Sequence, residues 1–343
     1  MNTVAILTGP STHLDHLGVL SALLNIPLIV TEEKTKELAH LFYPQINLEF
    51  KEIHELSIDY LATHYDVIFE SGAFWACQLA PFIKLIHKKK IRFIYCPHGN
   101  SDKGASLKNH PEQDISLVYG DHLYDLLQAN GSLAKTSKAI YTGNYRYQFY
   151  LEHKAFYDDL ADKRVFSHFQ QPKPTILYAP TWDANLQPSV FFADLERLIE
   201  QLKSDFNLLI KLHPFLIEDH PSYAFKISDQ YSAHPFVLFL EDFPAIYPLL
   251  ERSDIYIGDT SSIGYDFLKF DRPLYFFNST DPASKLHPCG IKIPPSQQGR
   301  LGNFIKETTD AQAVLSLIRQ TTYAYAFRNL SASCWPLKIK NFV

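Results

Sequence analysis

Short apolar runs bounded by turn-forming residues alternate with longer segments of helical periodicity along most of the chain. In the first half, these runs predict strands at 4–7, 27–30, 67–71, 92–96, 116–120 and 138–143. In the second half, they predict strands at 175–180, 207–214, 237–241, 255–259 and 273–278. Strands that alternate with helices form parallel sheets with crossover helices, so the pattern predicts an α/β protein.

One intervening segment predicts an amphipathic helix, because its apolar residues recur at i, i+3, i+4 and i+7. We expect these residues to form one buried face: Leu79, Phe82, Ile83 and Ile86.

Two prolines that flank residue 173 mark a boundary between domains. They follow a helical stretch from Arg146 to about His168, and they fit neither a helix interior nor a central strand. We therefore predict one domain over 1–169 and another over 170–320, each a Rossmann-like, doubly wound parallel sheet. We expect the two domains to face a cleft lined by loops at the carboxyl ends of strands.

The composition is that of a folded protein without an electrostatic signature for nucleic acid. The 343 residues carry a formal net charge of −5 and are 46% hydrophobic, which argues against DNA or RNA as a partner. The four cysteines are widely spaced and form no CxxC pair, so we expect reduced thiols in the cytoplasm. The pattern predicts neither a signal peptide nor a transmembrane helix.

No common phosphate-loop, metal or nucleophile motif is present, so the candidate chemistry lies where strands end. The strand at 92–96 leads into His98 and Gly99, which places an imidazole beside a residue that allows close backbone approach to a ligand. His98 is the best candidate for a general base. A turn histidine that holds a neighbouring carbonyl is an equally good interpretation.

The strand at 207–214 ends in Lys211 and His213, which share one face by the period of two along a strand. A cation and an imidazole together suit an anion, and a solvated edge is the alternative.

A run of polar residues separates the strand at 255–259 from an amphipathic helix. It consists of Asp259, Thr260, Ser261 and Ser262. Free backbone N–H groups at a helix start, together with hydroxyl groups, favour a phosphate there. Simple N-capping explains one such residue but not four.

Three further groups at strand ends carry weaker signals. Thr181 and Trp182 follow the strand at 175–180, where the indole either lines a nucleotide pocket or packs against the core. Arg146 either binds a phosphate or forms a surface ion pair. His13, Asp15 and His16 follow the first strand and could bind a metal or an acceptor, but a helix start with solvated histidines is the favoured interpretation. We predict no metal and no cofactor.

In order and spacing, several motifs together resemble the CDP-glycerol glycerophosphotransferase family of teichoic-acid type. The motifs are His98-Gly99, Gly143-Asn144-Tyr145-Arg146, Tyr178-Ala179-Pro180-Thr181-Trp182, Lys211-Leu212-His213-Pro214, and the run from Ser253 to Leu268 followed by Asp271-Arg272-Pro273. The resemblance is close over about 175–280 and looser before it. Cys96-Pro97 and Asp183 depart from the residue types usual in the family.

The resemblance implies a GT-B architecture whose carboxyl-terminal segment, 321–343, crosses back to the first domain. It implies transfer of glycerol phosphate from a CDP-activated donor to a hydroxyl of a glycolipid or polymer, with release of CMP. By position, His98 resembles the base, His213 a group that meets the donor phosphates, and Thr260 to Ser262 their cradle. We expect Asp259 to cap the helix and point away from the phosphates. The expected location is cytoplasmic, with at most peripheral membrane contact.

Two other functions fit the same residues. One is a GT-B glycosyltransferase or epimerase that uses a UDP- or CMP-sugar, since fold alone does not select the reaction. The other is a non-catalytic nucleotide-binding homologue.

Overall fold

The structure is a computed structural model that describes residues 1–102, 104–134, 138–182, 187–277 and 284–330. The chain divides into two compact units. Unit 1 contains Met1–His153 and, after the chain returns, residues 324–330. Unit 2 contains Lys154–Tyr323. Within the described ranges, no helix has both the length and the apolar character needed to cross a membrane.

Unit 1 is built on a seven-stranded parallel sheet with the order β3-β2-β1-β4-β5-β6-β7. Its strands are β1 (Thr3–Leu7), β2 (Leu28–Val30), β3 (Leu48–Phe50), β4 (Val67–Glu70), β5 (Arg92–Tyr95), β6 (Ile115–Val118) and β7 (Lys138–Tyr141). Its helices are α1 (Leu17–Leu24), α2 (Glu33–Phe42), α3 (Ile58–His64), α4 (Ala80–His87), α5 (Asp121–Ala129) and α6 (Tyr145–Glu152). A π-helical turn at Trp75–Leu79 leads into α4.

Unit 2 is built on a six-stranded parallel sheet with the order β10-β9-β8-β11-β12-β13. Its strands are β8 (Thr175–Ala179), β9 (Asn207–Ile210), β10 (Val237–Phe239), β11 (Ile255–Gly258), β12 (Leu274–Phe276) and β13 (Ile291–Lys292). Its helices are α7 (Lys154–Arg164), α8 (Pro188–Leu202), α9 (Pro214–Asp219), α10 (Pro221–Gln230), α11 (Tyr247–Arg252), α12 (Ser262–Phe267) and α13 (Leu301–Thr308). Helix α14 (Ser316–Ala326) begins in this unit and ends in unit 1.

The α/β prediction is confirmed, and every strand predicted from the sequence is present. The central strands are buried on both sides, which explains their continuous apolar runs. Two edge strands, β3 and β13, lack a prediction because they are three and two residues long and only partly buried. The helix predicted over 79–86 forms, but its expected single buried face is wrong. Ile83 is buried, whereas Phe82 and Ile86 are exposed.

The helical stretch from Arg146 is interrupted at His153, and the chain enters unit 2 there, ahead of the prolines at 172 and 174. Helix α7 joins unit 2 through ion pairs with α11: the Lys154 Nζ lies 2.5 Å from Glu251 Oε2, and Arg252 pairs with Asp162. Residues 324–330 contact unit 1, where the Arg328 N–H donates to the Tyr119 carbonyl at 3.1 Å. Of the segment 321–343, which is predicted to cross back to the first domain, residues 331–343 lie outside the described residues.

Candidate functional site

In unit 2, the predicted binding residues follow three adjacent strands. Strand β8 lies between β9 and β11, so their carboxyl ends meet at one edge of the sheet. Thr181 and Trp182 follow β8, Lys211 and His213 follow β9, and the run 259–262 follows β11. This edge is where ligands bind in open α/β sheets. Asp183 lies outside the described residues.

His213 ends the β9 loop and caps α9. Its Nδ1 accepts a hydrogen bond from the Phe215 backbone N–H at 3.2 Å. Because Nδ1 is the acceptor, the hydrogen of the neutral ring is on Nε2, which is therefore a donor. The Phe215 ring lies 5.3 Å from the His213 ring and 5.3 Å, edge-on, from the Trp182 ring. Trp182 packs against the core of unit 2.

The three hydroxyl-bearing residues of the run 259–262 differ in burial. Buried Ser261 is the N-cap of α12, since its Oγ accepts from the Ile263 N–H at 3.4 Å. Thr260 and Ser262 are half-buried on either side. Thr260 precedes the N-cap residue of α12, and Ser262 is the first residue of the helix.

The expectation that Asp259 caps this helix is wrong, because Ser261 does so. The Asp259 carboxylate instead accepts from the Thr181 backbone N–H, at 3.2 Å to Oδ1 and 3.0 Å to Oδ2. It thereby ties the β8 loop to the β11 loop. Lys211 is half-buried, and its Nζ donates to the Phe243 carbonyl at 3.0 Å.

In unit 1, His98 lies just after β5, whose neighbours in the sheet are β4 and β6; β1 lies on the far side of β4. The His98 Nδ1 is 3.2 Å from the Ser71 carbonyl oxygen. A carbonyl only accepts, so Nδ1 carries the hydrogen and Nε2 keeps its lone pair. Gly99 follows with φ of 135°, a backbone conformation that favours glycine.

Two residues that are not among the predicted site residues contact His98: His13, for which a solvated position is expected, and Ser71. The His13 ring stacks on the His98 ring, with centroids 4.3 Å apart and an interplanar angle of 16°. The His13 Nδ1 lies 2.9 Å from Ser71 Oγ, so one serine contacts both imidazoles. The signal that could have identified them is position, because Ser71 follows β4, the strand next to β5, and His13 follows β1, the strand next to β4.

Burial lowers the pKa of His98, although the hydrogen bond to Ser71 opposes that shift. Burial and then the neighbouring His98 charge lower the pKa of His13 well below its ordinary value of 6.5. Both rings are therefore neutral at neutral pH, which leaves the His98 Nε2 able to accept a proton.

Arg146 occupies the interior of unit 1. Its Nη1 donates to Asp15 Oδ2 at 2.8 Å, and Tyr43 donates to the other carboxylate oxygen at 3.1 Å. Both members of the ion pair are buried. Next to them, His16 bonds to the Tyr119 hydroxyl at 2.7 Å, so the solvated position expected for His16 is wrong.

No group of three His, Cys, Asp or Glu side chains converges as a metal site within the ranges described above.

The model of the family described as CDP-glycerol:poly(glycerophosphate) glycerophosphotransferase matches residues 95–281, which is more than half of the chain. The chain belongs to this family. The match confirms the resemblance carried by the motifs, and it spans His98, Arg146, His213 and the run 259–262.

Among curated relatives, the teichoic acid poly(ribitol-phosphate) polymerase of Bacillus spizizenii is 31% identical over 50% of this chain and 27% of its own length. The teichoic acid glycerol-phosphate primase of Bacillus subtilis is 27% identical over 48% of this chain and 40% of its own length. The matched region thus spans less than half of either relative.

A solved structure of the wall teichoic acid polymerase TagF aligns with 99% of this chain and 88% of its own, with a TM-score of 0.68 and 14% identity. A Staphylococcus aureus MnaA structure with UDP aligns with 99% of this chain and 95% of its own, with a TM-score of 0.59 and 14% identity. These likenesses establish the GT-B type of fold.

Proposed function

We propose that this protein transfers glycerol phosphate, or a related polyol phosphate, from a CDP-activated donor to an acceptor hydroxyl. The acceptor oxygen forms a bond to the outer phosphorus of the donor, the pyrophosphate P–O bond breaks, and CMP leaves. The acceptor proton moves to the Nε2 of His98. The observation that carries this proposal is the pair of family-matched imidazoles, one with a free acceptor nitrogen and the other with an N–H donor.

The donor half of the reaction belongs to unit 2. The His213 Nε2–H and the hydroxyl groups of Thr260 and Ser262 supply hydrogen bonds to the phosphates, and the Lys211 ammonium supplies positive charge. Phosphoryl transfer depends mainly on such positioning and charge stabilisation. Trp182 offers an aromatic surface for the nucleoside, and Asp259 acts by holding the Thr181 loop.

The acceptor half belongs to unit 1, where His98 is the base and Gly99 lets the backbone approach the acceptor. Arg146 acts by fixing the segment around Asp15 through the buried ion pair. We expect the acceptor to be a hydroxyl-bearing glycolipid or polymer. Because nucleotide-activated donors are cytoplasmic metabolites, the reaction would take place in the cytoplasm or at the inner face of the membrane.

CMP release from CDP-glycerol, measured with a panel of hydroxyl-bearing acceptors, tests this proposal. We expect release that depends on the acceptor and is absent in His98→Gln. CDP-glycerol should also raise the melting temperature, whereas UDP-glucose should not, because only a ligand that binds the native state stabilises it. Stabilisation and turnover with a UDP-sugar alone would favour a sugar-transferring or epimerising enzyme. Donor binding without turnover on any acceptor would favour a non-catalytic homologue.

A further inference from the structure

Ser71 contacts two imidazole rings, one through its backbone and the other through its side chain. Its carbonyl oxygen accepts from Nδ1 of His98 at 3.2 Å, and its Oγ lies 2.9 Å from Nδ1 of His13. The two rings are stacked, with centroids 4.3 Å apart and planes inclined by 16°. The His98 ring is thus held at Nδ1 by Ser71 and along one face by His13.

The segment that carries Ser71 is anchored in the interior of unit 1. Ser71 is buried and directly follows Glu70, the last residue of β4. The Glu70 carboxylate accepts from the backbone N–H groups of Trp75 and Ala76, each at 3.1 Å, and from Nε2 of Gln113 at 2.8 Å. These hydrogen bonds tie the two ends of the segment 70–76 together. Ser71 is therefore a fixed point for both imidazoles.

The contacts with Ser71 and His13 restrict two motions of the His98 ring. A flip of the ring would exchange its two nitrogens and break the hydrogen bond to the Ser71 carbonyl. A change of χ1 to another rotamer would remove the ring from its stack on His13. The position of a general base matters, because a displacement of about 1 Å can lower a rate roughly a hundred-fold.

The titratable groups that respond to a charge on His98 are histidines of unit 1 whose pKa is lowered mainly by burial: His13, His16 and His110. The charged groups beside them are paired, since Arg146 pairs with Asp15 and the Glu70 carboxylate is bonded to backbone N–H groups. Two stacked imidazolium rings would repel each other, so a proton on His98 keeps His13 neutral. His13 therefore offers His98 a neutral aromatic face.

We propose that His13 is a positioning residue for His98, which holds the His98 ring in place and shields one of its faces from water, with Ser71 holding both rings. The proposal rests on the role of His98 as the base in the proposed function. In this role His13 makes no bond to the substrate. It acts by keeping Nε2 of His98 in one position and by opposing early protonation of that ring.

NMR titration of the full chain, with isotope-labelled histidine and without nucleotide, tests the proposal independently of turnover. The signal that disappears in His98→Gln assigns the His98 ring, and its nitrogen shifts report which nitrogen carries the hydrogen. In His13→Ala, water reaches one face of the His98 ring, so the pKa of His98 should rise toward its ordinary value of 6.5. His13→Phe keeps a stacked ring, so the pKa of His98 should stay close to that in the wild type.

The pH dependence of CMP release measures the same effect during turnover. His13→Ala should lower kcat about ten- to a hundred-fold, because the base is no longer held in position. The acid limb of its kcat profile should move to higher pH, since the base is protonated more easily. The donor dissociation constant should stay within a few-fold of wild type. His13→Phe should recover most of the lost kcat.

His64 provides the matched control in the same unit, because its ring stacks on Tyr60 with centroids 4.2 Å apart but is exposed. His64→Ala should leave the pKa of His98 and CMP release unchanged. Ser71→Ala keeps the carbonyl and removes the Oγ contact of His13, so it should raise the pKa of His98 in the same direction as His13→Ala. It replaces His13→Ala in the test if urea melts show that His13→Ala does not fold.

An unchanged pKa of His98 in the folded His13→Ala variant, or an equal rise in His13→Phe, would overturn the proposal. Failure of the proposed function has a different signature, because the titration needs no substrate. If the wild type released no CMP with any acceptor but the pKa of His98 rose in His13→Ala and not in His13→Phe, the proposed reaction would be wrong and the positioning of His98 by His13 would stand.

Discussion

The neutral rings of His98 and His213 carry their hydrogen on different nitrogen atoms, and in each case a backbone group determines which nitrogen it is. The Ser71 carbonyl requires a hydrogen on Nδ1 of His98, whereas the Phe215 N–H requires a lone pair on Nδ1 of His213. The same side chain is thus arranged as a proton acceptor in one unit and as a hydrogen-bond donor in the other. The sequence predicts that both histidines follow strands. It does not show which of them accepts a proton and which donates a hydrogen bond, because that depends on these two backbone contacts.

Replacement of His98 should separate chemistry from donor binding. We expect His98→Ala to abolish turnover and to leave the donor dissociation constant within a few-fold of wild type, because the base acts on the acceptor proton. His98→Gln should be nearly as inactive, since an amide cannot accept that proton. Turnover assays and calorimetry with CDP-glycerol measure the two effects. A loss of donor affinity with normal single-turnover chemistry would refute this role.

The serines of the β11 loop should behave differently from each other. Ser261 uses its hydroxyl as the cap of α12, so Ser261→Ala should cost about 1 kcal/mol of unfolding free energy. Ser262→Ala should leave stability unchanged and raise the donor dissociation constant about five- to a hundred-fold, because a hydrogen bond to a charged group is lost.

Urea melts and calorimetry with CMP, CDP-glycerol and cytidine distinguish these effects. Cytidine, which lacks phosphates, should bind Ser262→Ala as tightly as it binds the wild type. If Ser262→Ala weakened the binding of all three ligands equally, Ser262 would not be a phosphate-binding residue.

At the scale of elements, the length of an apolar run determines whether a strand can be predicted from the sequence. The central strands β1, β4, β8 and β11 are buried along their length and give clear runs. The edge strand β3 has alternating half-buried and exposed residues over three positions, which is too short for a periodic signal. Helix α4 shows the complementary difficulty, because its apolar spacing does not indicate that Ile83 is buried while Phe82 and Ile86 are exposed.

The backbone at the end of β11 has no room for a side chain at Gly258. A Cβ at Gly258 would lie 2.2 Å from the hydroxyl oxygen of Tyr256, which is fully buried and donates to the Ala179 carbonyl at 3.3 Å. We expect Gly258→Ala to cost about 1–3 kcal/mol through overpacking and to weaken donor binding by shifting the β11 loop.

Gly299→Ala is the matched control in the same unit, since a Cβ there meets nothing within 4 Å. Urea midpoints and donor affinity of both variants provide the comparison. Wild-type stability in Gly258→Ala would show that the Tyr256 ring moves aside at little cost.

At the scale of the whole molecule, sequence predicts two parallel-sheet units, but the prolines at 172 and 174 do not coincide with their division. The ion pairs of Lys154 and Arg252 place α7 with unit 2, and such pairing between distant segments leaves no local signal. The units also differ in the number of buried histidines that they contain. The histidines of unit 1 whose pKa is lowered, mainly by burial, are His13, His16, His98 and His110.

This difference predicts that acid destabilises unit 1 first. Burial lowers the pKa of His110 to about 3 from an ordinary value of 6.5, and the three other histidines shift in the same direction. Below pH 6.5, these histidines therefore bind protons in the unfolded chain but remain neutral in native unit 1. Each such group removes up to about 1.4 kcal/mol of stability per pH unit.

One buried carboxyl group opposes this trend. Burial raises the pKa of Glu70 to about 7 from 4.5, so its contribution to stability increases as the pH falls through that interval. One carboxyl group does not offset four imidazoles. In unit 2, burial lowers the pKa of one histidine, His234, from 6.5. The pKa values of Asp162, Glu200 and Asp271 in that unit are lowered from 3.8, 4.5 and 3.8, so their stabilising contributions are lost at more acid pH.

Tryptophan fluorescence can report the two units separately, because Trp75 is buried in unit 1 and Trp182 lies in unit 2. Variants of the full chain that keep one of these residues, with the other and Trp335 replaced by Phe, would be unfolded in urea at about pH 7.5 and about pH 5.5. The midpoint reported by Trp75 should fall clearly at the lower pH, because the unfolded form of unit 1 gains protons there. The midpoint reported by Trp182 should move less. Equal shifts of both midpoints, or a stable Trp75 midpoint, would mean that the histidines of unit 1 take up protons in the native state.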